Sequence, residues 1–203
     1  MSTFDAKAAT WDEDPAKVDR ARVVAEAIRT AVPVSTDTRV LDFGAGTGLL
    51  SEQLARHVGA LTLIDPSAGM REVSAAKVAS GHLPRSTRIW DVDLATDTTP
   101  AETFDLVVTL MTLHHVPDVP RMLGAFAGLL EPRGHVAVVD LVAEDGSFHG
   151  EGFEGHNGFD PRELAGQLEG LGFTELEVRD DIHGVEKNGA RYPLFLLTAR
   201  RGS

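Results

Sequence analysis

The sequence predicts an α/β fold in which helices flank a mostly parallel sheet. Short apolar runs rich in β-forming residues alternate with amphipathic stretches, a pattern typical of repeated strand-helix units. One of these runs leads into a glycine-rich turn that opens a helix, and two late runs are separated by a segment too short for a crossover helix. These observations predict five parallel strands and a C-terminal antiparallel hairpin, which together make a seven-stranded sheet.

The first elements are a helix and the strand-helix units that follow it. Residues 16–32 are predicted to form a helix, because Val18, Ala21 and Ile28 fall on one face at helical spacing and Pro33 ends the pattern. Strands are predicted at residues 39–43, 60–65, 87–90, 104–110 and 135–142. Helices are predicted at residues 49–58, 68–79 and 119–130, the last ending in a turn over residues 131–134.

The last part of the chain contains one helix and the hairpin. Asp160 has the features of a helix N-cap, since Pro161 takes the first helical position and Glu163 stands three residues after the cap. A helix is expected from there to Leu171. The hairpin strands are predicted at residues 173–179 and 194–200. Residues 143–159, rich in glycine and histidine, are expected to be a loop.

Composition and charge narrow the class of protein. With 203 residues and 42% hydrophobic content, residues 1–203 are expected to form a single domain. The net charge of -12 disfavours nucleic acid as a partner, and charges and prolines interrupt every hydrophobic run that could span a membrane. The lack of cysteine excludes disulfides, and the first residues lack the basic and apolar regions of a signal peptide. A cytoplasmic protein with a small-molecule partner is therefore expected, and its oligomeric state stays open.

The strongest functional signal is the glycine-rich turn after the first predicted strand. Gly44 and Gly46 allow the backbone to approach a ligand with positive φ, and Gly48 permits close packing of helix on strand. Asp65 follows the second predicted strand about 20 residues later, where a carboxylate accepts hydrogen bonds from both ribose hydroxyls. Because parallel strands end at one edge of the sheet, these residues predict a site for an adenosine-containing ligand.

Leu49 distinguishes a dinucleotide-binding turn from other nucleotide-binding glycine turns. A dinucleotide-binding turn needs a glycine three residues after its second glycine, at the position that Leu49 occupies. With Asp42 ahead of the glycines, residues 42–48 instead resemble the class I S-adenosylmethionine-dependent methyltransferases. Residues 63–67, 104–108 and 129–135 are similar to that family as well, so the resemblance covers nearly the whole chain after Ala16. It implies a Rossmann-like, doubly wound sheet and methyl transfer from S-adenosyl-L-methionine to a small-molecule acceptor.

The resemblance also implies roles for individual residues. Gly44 and the region of Asp42 would hold the methionine amine, and Asp65 would hold the ribose. The adenine would lie against Pro66 and near Asp91. The predicted cofactor-binding residues are Asp42, Gly44, Ala45, Gly46, Gly48, Asp65, Pro66, Asp91, Val92, Leu110 and Met111, the last two closing the pocket near the methionine moiety.

Two histidines are candidate catalytic residues. His115 follows the fourth predicted strand and His156 precedes the capped helix, and an imidazole at either place could accept a proton near neutral pH. A structural hydrogen bond is the alternative for each, to the turn for His115 and to the helix start for His156. His114, His115, His149 and His156 lack the spacing of metal-binding motifs, so no metal is expected.

Two segments are expected to cover the site. By the family resemblance, residues 1–32 are predicted to form an N-terminal cover helix, with simple core anchoring of Trp11 as the alternative. Residues 143–159 are predicted to form an acceptor lid, with a mobile surface loop as the alternative. For the whole chain, an NAD-dependent oxidoreductase and a non-catalytic cofactor-binding module remain the alternative functions.

Overall fold

The computed structural model describes residues 4–203, which form two compact units, one reaching Asp97 and one starting at Thr98. The first unit contains a 3-10 helix (Asp5–Glu13), α1 (Pro15–Ala31), β1 (Val40–Phe43), α2 (Leu49–Leu54), β2 (Leu61–Ile64), α3 (Ala68–Ser80) and β3 (Arg88–Trp90). The second unit contains β4 (Phe104–Leu110), a 3-10 turn (Leu113–His115), α4 (Val119–Leu129), β5 (Leu130–Leu141), α5 (Pro161–Gly170), β6 (Phe173–Lys187) and β7 (Ala190–Arg201).

The strands of the first unit are parallel and lie in the order β3-β2-β1. In this register Leu41 lies opposite Thr62, and Phe43 lies opposite Ile64. Every residue of β1 and β2 is buried, as expected of parallel strands, and this includes the polar residues Asp42 and Thr62. Because the two strands end level with each other, the glycine turn and Asp65 follow at the same edge.

The first helix, α1, begins and ends within one residue of its prediction. The Asp14 carboxylate caps it by accepting a hydrogen bond from the amide of Ala16 at 3.0 Å, and Pro15 takes the first helical position. Val18 lies ahead of the buried stripe and is 36% exposed, so its predicted place on the core face is wrong. The buried residues of the helix are Ala21, Val24, Ala25 and Ile28.

The second unit has a mixed sheet in the order β4-β5-β7-β6, in which only β4 and β5 are parallel. The predicted C-terminal hairpin is confirmed, but its strands are longer than expected and extend to Lys187 and from Ala190. Asn188 and Gly189 form the turn with positive φ values of 53° and 77°. Asn-Gly is the preferred dipeptide for such a two-residue hairpin turn. The predicted strands stop short of this turn, so residues 180–193 were expected to be a polar connection and instead extend the hairpin.

The predicted end of α2 at residue 58 is wrong. The helix ends at Leu54, because the chain then tightens into a turn in which the amide of His57 donates to the Leu54 carbonyl at 2.8 Å. The amide of Gly59 donates to the carbonyl of Thr38 at 2.9 Å. These two hydrogen bonds direct the chain back toward the start of β2.

The predicted start of β5 at residue 135 is also wrong. The strand begins at Leu130, which lies opposite Phe104, and the parallel register resumes with His135 opposite Leu106. The turn predicted at residues 131–134 is therefore present as a bulge within the strand. A glycine-containing turn was recognisable from the sequence, but its incorporation into a strand depends on pairing with distant residues.

The predicted fold class is confirmed as α/β and Rossmann-like, with seven mostly parallel strands and a C-terminal antiparallel hairpin. The arrangement of residues 1–203 as a single domain stays a prediction. Within residues 4–203, no helix combines the length and apolar character needed to cross a bilayer.

Gly48 and Gly81 form a matched pair for testing how tightly the glycine turn packs. Both have positive φ, 82° and 84°, so alanine at either position introduces about 1–2 kcal/mol of backbone strain. A Cβ at Gly48 would lie 3.0 Å from Leu63 and 3.2 Å from Leu83, whereas one at Gly81 would meet nothing within 4 Å. In urea denaturation, Gly48→Ala should lose about 1–3 kcal/mol more of unfolding free energy than Gly81→Ala. Equal losses would contradict close packing at Gly48.

Candidate functional site

The glycine turn after β1 is fixed to the end of β2. The amides of Gly44 and Ala45 both donate to the carbonyl of Ile64, at 2.9 and 3.0 Å. Gly44 and Gly46 have φ values of 67° and 57°, which favour glycine. A Cβ at Gly46 would come no closer than 3.9 Å to the Met70 sulfur, the nearest non-neighbouring atom of residues 4–203. The turn is therefore a shaped stretch of backbone that a ligand can approach.

Asp65 joins the turns that follow β1 and β2. Its Oδ2 accepts a hydrogen bond from the amide of Gly46 at 2.8 Å, and its Oδ1 accepts one from the amide of Ser67, also at 2.8 Å. Burial raises the pKa of the Asp65 carboxyl, and the two amide hydrogen bonds oppose that rise. Each carboxylate oxygen has a second lone pair, so Asp65 can also accept hydrogen bonds from a ligand.

Asp42 lies behind the turn, inside the first unit. Its side chain is 1% exposed, and its Oδ2 accepts a hydrogen bond from the Ser51 hydroxyl at 2.7 Å. Burial raises the pKa of Asp42 to about 7, while the Ser51 hydrogen bond lowers it and the charge of Asp65 raises it further. The side chain of Asp42 therefore connects the end of β1 to α2 rather than facing solvent.

Arg71 organises the part of the site predicted to receive the adenine. Its Nη1 donates to the carbonyls of Asp65 and Pro66, at 2.8 and 3.0 Å, and its Nη2 lies 2.7 Å from the Asp91 carboxylate. Asp91 is 81% exposed at its side chain, and Val92 is half-buried. One guanidinium thus links the segments after β2 and β3. It brings the predicted residues Asp65, Pro66 and Asp91 together.

The N-terminal 3-10 helix brings two further carboxylates to the site. Asp5 accepts a hydrogen bond from the Ser67 hydroxyl at 2.6 Å, and Asp12 accepts one from the Thr47 hydroxyl at 2.5 Å. Asp12 also pairs with Lys77 of α3 at 2.6 Å. This segment therefore lies against the glycine turn and α3, and its role as a cover over the cofactor stays a prediction.

Sequence reasoning missed the charged residues that support the site. None of them stands in a motif or at a fixed distance from the glycines, because their contacts depend on where the N-terminal segment and α3 pack. The residues missed in this way are Asp5, Asp12, Arg71 and Lys77.

Leu110 and Met111 lie at the carboxyl end of β4 in the second unit. Leu110 is half-buried, and the amide of Met111 donates to the Val139 carbonyl at 2.8 Å. Met111 has a φ of 55°, an uncommon value for a residue with a side chain. Such backbone strain is concentrated at functional sites, where the surrounding structure maintains it. Contact of these two residues with a cofactor stays a prediction.

His115 belongs to a cluster with His114 and His149. One ring nitrogen of each lies within 4.8 Å of those of the other two. Burial lowers the pKa of both His115 and His149 to about 4, assisted by the charge of His114. Both imidazoles are thus neutral at pH 7, and such a low pKa makes His115 a weak general base. Its catalytic role stays a prediction.

His156 lies outside this cluster and is anchored by two hydrogen bonds. Its amide donates to the His114 carbonyl at 2.8 Å, and its Nε2 lies 3.0 Å from the carbonyl of Val116. A proton on Nε2 is donated to that carbonyl, which leaves Nδ1 as the accepting nitrogen. The side chain bonds Val116 rather than the start of α5, and a role in proton transfer stays a prediction.

The loop of residues 143–159 is fastened at several points within the second unit. Val142 bridges to Phe159, and the Ser147 hydroxyl lies 2.8 Å from the Tyr192 hydroxyl. Phe148 is 5% exposed and packs edge-on against Tyr192. The loop therefore has an ordered apolar contact, and its movement as an acceptor lid stays a prediction.

Comparison with known proteins matches residues 16–178 to a family model described as a methyltransferase domain. An uncharacterized methyltransferase from Schizosaccharomyces pombe is 29% identical over 154 residues, which are 68% of this chain and 54% of that protein. A ubiquinone biosynthesis O-methyltransferase from Rhodopseudomonas palustris is 38% identical over 108 residues, 51% of this chain and 40% of that protein. The chain thus spans about half the length of the curated relatives it matches.

A solved structure shares the fold. Phosphoethanolamine N-methyltransferase 2 from Haemonchus contortus, in complex with S-adenosyl-L-methionine, aligns with a TM-score of 0.73 over 100% of this chain and 61% of that chain. The sequence identity is 14%, so this likeness establishes the fold alone.

The buried carboxyl of Asp42 predicts a pH dependence of stability. Its pKa of about 7 in the folded protein is above its ordinary value of 3.8, so the folded state retains a proton that the unfolded state loses. The contribution of Asp42 is therefore most favourable below about pH 4 and is lost as the pH rises to about 7. Asp42→Asn should remove this decline, giving a flatter curve of unfolding free energy against pH than the wild type.

The exposed Asp37 provides the control for this comparison. Asp37→Asn should follow the wild-type curve, because Asp37 is exposed and lies outside the site. If the unfolding free energies of Asp42→Asn and the wild type differ by the same amount from pH 4 to pH 7, the raised pKa of Asp42 is contradicted.

Proposed function

The chain belongs to the methyltransferase domain family, and we propose that it transfers the methyl group of S-adenosyl-L-methionine to a small-molecule acceptor. The product from the cofactor is S-adenosyl-L-homocysteine. The observation that carries this proposal is the hydrogen bond of 2.8 Å between Asp65 and the amide of Gly46. It places a carboxylate beside an accessible glycine backbone at the carboxyl ends of β1 and β2, where parallel sheets bind their ligands.

The residues of the first unit fit this cofactor. Asp65 has lone pairs for the two ribose hydroxyls, and the backbone at Gly46 leaves space for the amino acid part. Pro66 is exposed and offers a flat apolar surface to the adenine, while the Asp91 carboxylate can accept its amino hydrogens. Asp42, Gly44, Ala45 and Gly48 form the end of β1 and the turn after it, and Val92 completes the set proposed in the first unit. Leu110 and Met111 of the second unit are also proposed to contact the cofactor.

The protein acts in this reaction chiefly by binding and orientation. When bound, the cofactor supplies a methyl group that its sulfonium charge already activates. Asp65 would hold the ribose, and the backbone around Gly46 would hold the amino acid part of the cofactor. Because the cofactor is then already oriented, the reacting groups lose little further freedom on the way to the transition state. His115 and His156 are the proposed acceptors of a proton from the substrate.

An oxygen atom of a small molecule is the proposed acceptor. The relative from Rhodopseudomonas palustris is an O-methyltransferase, although its alignment covers only 51% of this chain. The net charge of -12 opposes the approach of polyanions, which favours a small acceptor over a nucleic acid. A first screen should therefore contain alcohols, phenols and carboxylic acids.

The test is release of S-adenosyl-L-homocysteine, measured with each acceptor of the screen and with Asp65→Ala alongside the wild type. Asp65→Ala should weaken the affinity for S-adenosyl-L-methionine by about ten- to two-hundredfold, because hydrogen bonds to a charged group contribute about 1.5–3 kcal/mol. Calorimetry checks this affinity, and Asp37→Ala, which removes an exposed carboxylate outside the site, should bind as the wild type does.

Three results would contradict the proposal in different ways. Unchanged affinity of Asp65→Ala would remove Asp65 from the site. Competition by NAD at micromolar concentration would favour an oxidoreductase, although Leu49 stands where a pyrophosphate-binding turn has glycine. Tight cofactor binding without product from any acceptor would favour a non-catalytic binding module.

A further inference from the structure

We propose that His114, His115 and His149 form a binding site for a divalent transition metal ion of the zinc class. Spacing in the sequence gave no reason to expect a metal, but the fold brings these three side chains together in the second unit. One ring nitrogen of each lies within 4.8 Å of the corresponding nitrogens of the other two. The inference does not depend on the proposed methyl transfer, but it assigns His115 to the metal and so leaves His156 as the proposed acceptor of a proton.

Asp140 holds His114 in the orientation of a metal ligand. The side chain of Asp140 is fully buried, and its Oδ1 lies 2.5 Å from Nδ1 of His114. Its Oδ2 accepts a hydrogen bond from the amide of His114 at 3.2 Å. Metal-binding histidines typically donate one ring nitrogen to such a carboxylate and present the other to the metal. The Nε2 of His114 is the nitrogen left for the ion.

His149 provides the second observation that points to a ligand. Its Nε2 is buried and has no hydrogen-bond partner within residues 4–203. The ring stacks on Phe153, with centroids 3.8 Å apart and planes 13° apart, and meets Phe148 at an edge. A buried nitrogen without a partner is unfavourable, and coordination of a metal would satisfy it.

The donor set identifies the class of ion. Three imidazoles without thiolate favour zinc and its neighbours in the first transition series over magnesium or calcium, which prefer oxygen ligands. Zinc-nitrogen bonds of about 2.0–2.1 Å require the nitrogens to close from their present separation to about 3.3 Å. The imidazole rings and the loop carrying His149 would have to move by this difference when the ion binds. Three histidines leave a fourth position for water or an anionic oxygen.

The charges around the cluster are compatible with a dication. The carboxylates of Asp140 and Glu144 act on His149, and the ammonium of Lys187 opposes them. The Lys187 nitrogen lies 4.0 Å from the ring of Phe148, which holds this charge on an aromatic face. With two carboxylates and one ammonium, these neighbouring groups have a net negative charge, which favours binding of a metal cation.

The test is binding of Zn²⁺ and Co²⁺ to residues 1–203, treated with a chelator and carrying no affinity tag. Calorimetry should give one Zn²⁺ per wild-type chain with a Kd of about 1 μM or tighter. Co²⁺ should produce the visible absorption of a tetrahedral site with nitrogen ligands. His149→Phe retains an aromatic ring against Phe153 but removes the nitrogens, and it should weaken Zn²⁺ binding at least a hundredfold. His115→Ala should do the same.

The control is His82→Ala, because His82 is exposed and lies outside the cluster. This variant should bind Zn²⁺ as the wild type does. Thermal unfolding without metal establishes that each variant is folded, and Zn²⁺ should raise the Tm of the wild type more than that of His149→Phe. Absence of stoichiometric binding to the wild type at 100 μM Zn²⁺, or equal affinity of wild type and His149→Phe, would overturn the proposal.

Discussion

The arrangement of the turns in the first unit depends on one partly buried carboxylate that accepts hydrogen bonds from two backbone amides. Asp65 follows β2, and its oxygens bind the amide of Gly46 in the turn after β1 and the amide of Ser67 at the start of α3. Burial of a carboxylate is costly unless it is hydrogen-bonded, so these two hydrogen bonds stabilise Asp65 and connect both turns. The positive φ values of Gly44 and Gly46 are compatible with these contacts because glycine lacks a Cβ. The residue proposed to bind the cofactor therefore also stabilises the local fold.

A second buried carboxylate has a corresponding role in the second unit. Asp140 lies near the end of β5 and accepts hydrogen bonds from the amides of Leu141 and His114, as well as contacting the His114 ring. Removing a carboxylate of this kind would leave its donors buried and unsatisfied. The 3-10 turn after β4 is therefore fixed to the strand beside it, and the imidazoles of His114 and His115 project from a defined backbone.

The sequence was informative where structure is determined locally and less so where it is determined by distant contacts. The strand ending in glycines at Gly44, the N-cap at Asp160 and the helix boundaries of α1 follow from short-range rules. The bulge in β5 and the links from Arg71 to Asp91 arise only after packing. The histidine cluster belongs to this second kind, because adjacent His114 and His115 meet His149 from a separate loop. The turn at Asn188-Gly189 could have been predicted from the sequence, because Asn-Gly is a local signal for a hairpin turn.

Under the proposed function, S-adenosyl-L-methionine and its product bind at the turn that Asp65 holds in place. Two-dimensional NMR of the ¹⁵N-labelled chain tests it directly, since the amides of Gly46 and Ser67 are the donors to that carboxylate. Titration with S-adenosyl-L-homocysteine should shift the resonances of Gly44, Gly46 and Ser67, while Gly189 in the hairpin turn stays unchanged. Saturable binding that leaves the Gly46 and Ser67 resonances in place would contradict the claim.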